Sequence, residues 1–177
     1  MAAEPSNVSQ EITKLRRLSG AVIAWLGLVI VGALVEGITL LNSSDSSVGT
    51  QAWLCVTAGI LGSGVAALRS VGERVANGWQ LASGHKVPAP RTEQEANREC
   101  FVGRMTFMFV TRPLLGGVVG LLAYTGLVGG YLVAAVQEHG STPRFSMHGL
   151  AFLALLAGVF AKTFLDRLGN WFKVAVK

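Results

Sequence analysis

The chain has 177 residues, of which 51% are hydrophobic and only 14% charged, with a net charge of +5 and 22 glycines. Soluble domains carry about a quarter charged residues, so this shortfall argues for a single membrane domain, 1–177, rather than a water-soluble one. The cations lie singly beside apolar runs and form no aromatic-interleaved patch, which argues against nucleic acid as a partner and for the lipid bilayer.

The N-terminal "MAAEPSNVSQEITKLRRLSG" places basic residues ahead of a long apolar run. That run is too long for a signal-peptide core and no cleavage-like end follows it, so it is read as a retained span. A hydrocarbon core takes about 20 apolar residues to cross, and four segments are apolar enough: 18–41, 51–68, 114–136 and 147–164. The fold class expected is therefore an all-α four-transmembrane-helix bundle with one or two cytoplasmic interfacial helices.

Within the first span Glu36 is the single acid, about five residues or ~7–8 Å from the outer end. A carboxylate inside a membrane is costly and is a functional hypothesis by default. Two roles stay open for it: a structural one near the outer interface, paired with Arg144, a histidine or a hydroxyl, and one in an ion or proton path.

In the second span Ala58, Gly62 and Ala66 form a small-residue ladder; in the third, Gly116 and Gly120 form one GxxxG and Gly126 and Gly130 another; in the fourth, Ala154 and Gly158 repeat the spacing. Small residues four apart let helix backbones approach closely where no hydrophobic effect drives association. They serve packing within the chain or contacts in a homo-oligomer.

The water-facing segment, 69–112, opens with Val71, Val75 and Trp79 at four-residue spacing. That spacing puts the three on one helix face, lying along the inner leaflet or extending the second span. "SGHKVPAP" then breaks the helix. "CFVGRMTFMFVT" follows and stops at Arg112. Joining it to the third span would make a helix much longer than the bilayer requires, so residues 101–111 are expected as a separate interfacial or re-entrant helix. On that reading Pro113 occupies the first turn of a span starting at Leu114, where its missing N–H costs nothing. Arg112 becomes an anchor at the inner headgroup level.

Of the 15 lysines and arginines all but Arg144 fall on one side of this topology. Cytoplasmic loops retain positive charge, so both termini and the 69–112 loop are placed inside. Arg69, Arg112 and Arg167 gather near the inner membrane plane, with Lys162 held between apolar turns in "AGVFAKTFLDRL". They are read as anchors on lipid phosphate, or as cations lining an anion-permeable mouth with Lys162 on the path. Beyond the fourth span, "LDRLGNWFKVAVK" keeps an apolar face with Trp171 as an interfacial anchor, docked on lipid or on a partner protein.

Cys55 lies in a span and Cys100 in the loop, so both are expected as free thiols in a reducing compartment. Glu138, His139 and His148 lack metal-site spacing, and no GxSxG, HExxH or P-loop is present. Neither metal, cofactor nor catalytic residue is expected, and the chain is read as no enzyme.

"TRPLLGGVVGLLAY" and "AFLALLAGVFAKTFLDRLGNWFK" together resemble small bacterial four-span membrane proteins of uncharacterised function. The resemblance covers the last seventy or so residues and part of "ALRSVGERVANG". It implies a bacterial inner membrane and four helices, and it brings no activity or site residue. The function expected is a membrane anchor, regulatory subunit or membrane-acting effector that works through protein contacts at the cytoplasmic face. The alternative is a homo-oligomeric channel with Glu36 or Lys162 on the path.

Overall fold

The computed structural model describes residues 5–43, 47–89, 91–128, 146–161 and 163. The chain is mostly helical. In order it forms α1 (Pro5–Asn42), α2 (Val48–Ala76), a hairpin of β1 (Trp79–Gln80) and β2 (Lys86–Val87), the short α3 (Glu93–Ala96), a 3₁₀ turn (Gly103–Met105), α4 (Thr106–Val128) and α5 (Met147–Val159).

Three helical stretches, Val8–Asn42, Val48–Ala76 and Gly103–Val128, are long and apolar enough to cross a membrane. The fourth apolar helix, α5, is shorter, 13 residues, or about 20 Å at 1.5 Å per residue. Large apolar side chains such as Leu28, Val31, Val35, Leu114 and Phe152 are exposed on the outer faces of these helices, as suits helices whose surroundings are hydrocarbon rather than water.

α2 is the central helix and packs on α1, α4 and α5. Its start is fixed by Ser47, whose hydroxyl accepts from the Thr50 N–H at 3.3 Å, and α5 begins the same way, with Ser146 accepting from the Gly149 N–H at 3.1 Å. Each such cap satisfies one of the four N–H groups a helix start leaves unpaired. Around α2 the buried residues divide into two clusters. One, between α2, α4 and α5, holds Cys55, Ala58, Tyr124, Leu127, Leu150 and Ala154; the Tyr124 hydroxyl donates to the Val48 carbonyl at 3.2 Å. The other lies at the opposite end and joins Leu15, Val22 and Leu26 of α1, Ala67 and Val71 of α2, Leu81, Phe101 and Phe109.

Two expectations from the sequence need correction here. The third apolar helix does not begin at Leu114: α4 starts at Thr106 and passes through Arg112 and Pro113 without a break. Pro113 is thus inside the helix rather than in its first turn, and it is among the most fully buried side chains. Bilayer thickness alone does not set where this helix begins, because the first turns of α4 are held by packing against residues remote in sequence: Phe109 lies in the second cluster and Met105 and Val110 rest against it. Residues 101–111 accordingly form no separate interfacial helix. The other correction concerns Trp79. α2 ends at Ala76, and Gly78, at φ 106°, turns the chain into the hairpin. A Cβ there would stand 2.5 Å from the Val87 carbonyl oxygen, so the turn takes glycine for space as well as for its left-handed backbone.

Candidate functional site

The segment 77–105 folds into a lobe on the joined ends of α1, α2 and α4. Its frame is small: Trp79 pairs with Val87 and Gln80 with Lys86 in the antiparallel hairpin. Phe101 extends it, accepting from the Gln80 N–H and donating to the Gly78 carbonyl, both at 3.0 Å. This strand-like grip drives the Phe101 ring inward, where it is fully buried. It meets Trp79 edge-on at 5.9 Å and lies nearly parallel to Phe109 at 6.4 Å. Both separations fall in the range where aromatic pairs attract beyond their buried area.

Polar contacts tie the lobe to the helices. The Glu11 carboxylate on α1 accepts from the Ala82 N–H at 2.6 Å. Lys86 donates to the carbonyls of Ala96 and Arg98, holding the end of α3. Arg74, in the last turn of α2, makes an ion pair with Glu99, donates to the Met105 sulfur at 2.8 Å and stands 5.9 Å over the Phe109 ring. Its side chain is 17% exposed while that of Glu99 is 71% exposed, so the guanidinium belongs to the lobe base and the carboxylate to its surface. The outer face, with Ser83, His85, Arg91, Glu93 and Glu99, is exposed, while Glu95 is half-buried and accepts from the Arg91 N–H at 2.8 Å.

Of the inner-plane cations, Arg69 is exposed and pairs with Glu73 at 2.8 Å. Arg112 is half-buried, two turns into α4, close enough to Arg74 for the two charges to repel. Lys162, Arg167, Trp171, Arg144, Glu138, His139 and Gly130 lie outside the described residues, so the pairing weighed for Glu36 with Arg144 and the anchoring read for Arg167 and Trp171 do too. Glu36 is exposed on α1 and its carboxylate accepts from the Trp53 indole N–H at 2.5 Å. Among the described residues the partner of that acid is thus a tryptophan rather than a histidine or a hydroxyl. Cys55 and Cys100 are free thiols, both buried. Among the described residues no three of His, Cys, Asp and Glu gather as a metal site would need.

Glycines draw α4 and α5 closely onto α2. A methyl at Gly116 would overlap Ser63 and the Gly59 carbonyl, and one at Gly120 would overlap the Cys55 carbonyl. A methyl at Gly158 would overlap the Gly59 carbonyl, and one at Gly62 the Leu155 carbonyl. Four of the glycines singled out in the sequence therefore meet α2 or belong to it, whereas Gly126 is only half-buried. The residue missed is Gly59, which touches α4 and α5 at once. Its signal was legible as the four-residue spacing Cys55, Gly59, Ser63, one step along from the Ala58 ladder. The Ser63 hydroxyl also donates to the Pro113 carbonyl at 3.4 Å.

The described residues thus define a mostly helical protein with three helices long and apolar enough to cross a membrane and a small folded lobe on the joined ends of α1, α2 and α4. No family model, curated protein or solved structure matches the chain.

Proposed function

We propose that this chain is a non-enzymatic, multi-pass membrane protein that works through protein contacts on its lobe, as an anchor, regulatory subunit or membrane-acting effector. The membrane is taken to be the bacterial inner membrane, in keeping with the resemblance of the third and fourth apolar segments, with four spans and both termini in the cytoplasm. α5 then supplies the fourth span. The lobe carries the reading. A plain connection between two spans would need no core, yet residues 77–105 bury Leu81 and Phe101 against three helices and turn a charged face outward. Ordering these residues costs backbone entropy of about 1–2 kcal/mol each, and a defined surface for a partner is what that ordering supplies.

A homo-oligomeric channel is the second reading, and Glu36 is the observation in its favour. The acid sits on an exposed face of a potential span with Trp53 as its hydrogen-bond donor, and copies arranged in a ring would bring several such carboxylates together.

The deciding measurement is the mass of the protein purified in nanodiscs, with any co-purifying protein identified. The expected result is a monomer or dimer with a stoichiometric second protein that is lost when Arg91 and Glu93 on the outer face are reversed in charge. A homo-oligomer of four or more subunits with no second protein would overturn this reading in favour of the channel.

A further inference from the structure

We infer that the groove between α1 and the lobe binds the headgroup of an anionic phospholipid. The inference rests on the membrane placement proposed above and adds a defined ligand to it.

The groove encloses 710 Å³. One wall is α1, and the other is made by the hairpin turn and the residues before α4. The walls are fixed: the Glu11 carboxylate holds the Ala82 N–H, and the turn is closed by bonds from Leu81 to His85 and from Gly84 to Leu81, both at 2.9 Å. Leu15 and Leu18 form the floor. Gly103 stands over them so closely that a Cβ there would lie 3.4 Å from the Leu15 side chain. Lys14 and Arg104 stand at the mouth, both exposed, and among the described residues neither has an ion-pair partner. A second hollow, of 520 Å³, shares Lys14 and Leu18 with the groove and adds Arg17 and Ala21. Among the described residues three cations against the one carboxylate of Glu11 leave the pair of hollows positive.

Polarity also changes along α1. The cations lie at 14 and 17, and the lining becomes Leu18 and then Ala21 on the way to the exposed apolar residues Ile23, Trp25 and Leu28. Phosphate at the cations and an acyl chain along that descent would satisfy both ends. A free phosphate would use only the polar end, and a soluble acidic peptide would leave the apolar descent unmatched. An anionic lipid in the adjoining leaflet is the ligand whose two halves fit.

The test is native mass spectrometry of the full chain released from bilayers of equal phosphatidylcholine and phosphatidylglycerol. Unsubstituted protein is expected to carry phosphatidylglycerol in excess. The Lys14→Ala/Arg104→Ala protein should lose that excess by about fivefold for each charge removed. The charge-keeping Lys14→Arg/Arg104→Lys protein and the off-groove Arg98→Ala protein should retain it. Equal retention of the two lipids by the unsubstituted protein overturns the inference without using any variant, as does an excess that survives the double alanine change. Carbonate washing of the source membranes separates the two readings: release of the chain overturns the membrane placement and this site with it, whereas a chain that stays and shows no lipid preference overturns the site alone.

Discussion

Gly59→Ala is the substitution that most directly probes how the helices are held. The new methyl would overlap the Gly116 carbonyl and come within 3.1 Å of the Gly120 Cα, while the Gly59 backbone already abuts Gly158 on the other side. Since backbone, not a flexible side-chain end, stands in the way, α4 must retreat from α2. A retreat of about 1 Å forfeits about half of each dispersion contact of about 0.1–0.2 kcal/mol; over about 40 atom pairs, the number one buried leucine makes, the loss is about 2–4 kcal/mol. Alanine returns about 1 kcal/mol through its better helix propensity, which leaves a net loss of about 1–3 kcal/mol. Gly27→Ala on α1 is the matched control, because a Cβ there meets nothing within 4 Å and only the propensity gain applies. The assay is SDS-driven unfolding in mixed micelles followed by helicity. Gly59→Ala should unfold at a lower SDS fraction than the unsubstituted protein, and Gly27→Ala at the same fraction or a higher one. Equal midpoints for the two variants would refute the crossing of α2 with α4 and α5.

Two further outcomes concern the lobe. Phe101→Ala empties the centre of its core, a change that typically costs about 3–5 kcal/mol, so trypsin should cut after Lys86, Arg91 and Arg98 much faster than in the unsubstituted protein while the helix content measured by circular dichroism holds. Arg74→Met should destabilise the lobe by about 1–2 kcal/mol, through the lost stacking on Phe109 and the lost ion pair. Glu99→Gln should cost under about 0.5 kcal/mol, since that carboxylate is largely exposed and its pairing is screened; thermal melting of the two side by side checks the asymmetry, and equal losses would place the pair in the core instead of at its rim.

The sequence made some of this legible and hid the rest for identifiable reasons. Apolar runs mark helices because hydrocarbon thickness sets their length, and α1 and α2 lie where the runs put them, each extended beyond the run. The same length argument failed for α4. Phe109 and Val110 look like membrane residues by composition, but their partners Leu15, Val71 and Phe101 are remote in sequence, and no local pattern records that cluster. Val71 and Val75 keep the helical spacing, and both pack from α2 against the lobe. Trp79 reaches the same cluster from a strand, after the Asn77–Gly78 turn, so its agreement with the spacing is coincidental. Gly59 was passed over because three small residues, Ala58, Gly59 and Gly62, compete for the same face, and only the approach of Gly116 and Gly158 decides between them.

The lobe core also has an order in which it can be made. Leu15 and Val22 leave the ribosome early, Val71 and Leu81 later, and the cluster lacks its centre until Phe101 and Phe109 have followed. Closure of the lobe therefore waits on synthesis of the first turn of α4, so α1 stays unlatched at that end until Phe109 has been added. A chain truncated before residue 101 would leave Leu15, Val71 and Leu81 uncovered, a greasy opening that quality-control proteases could read as the mark of an unfinished protein.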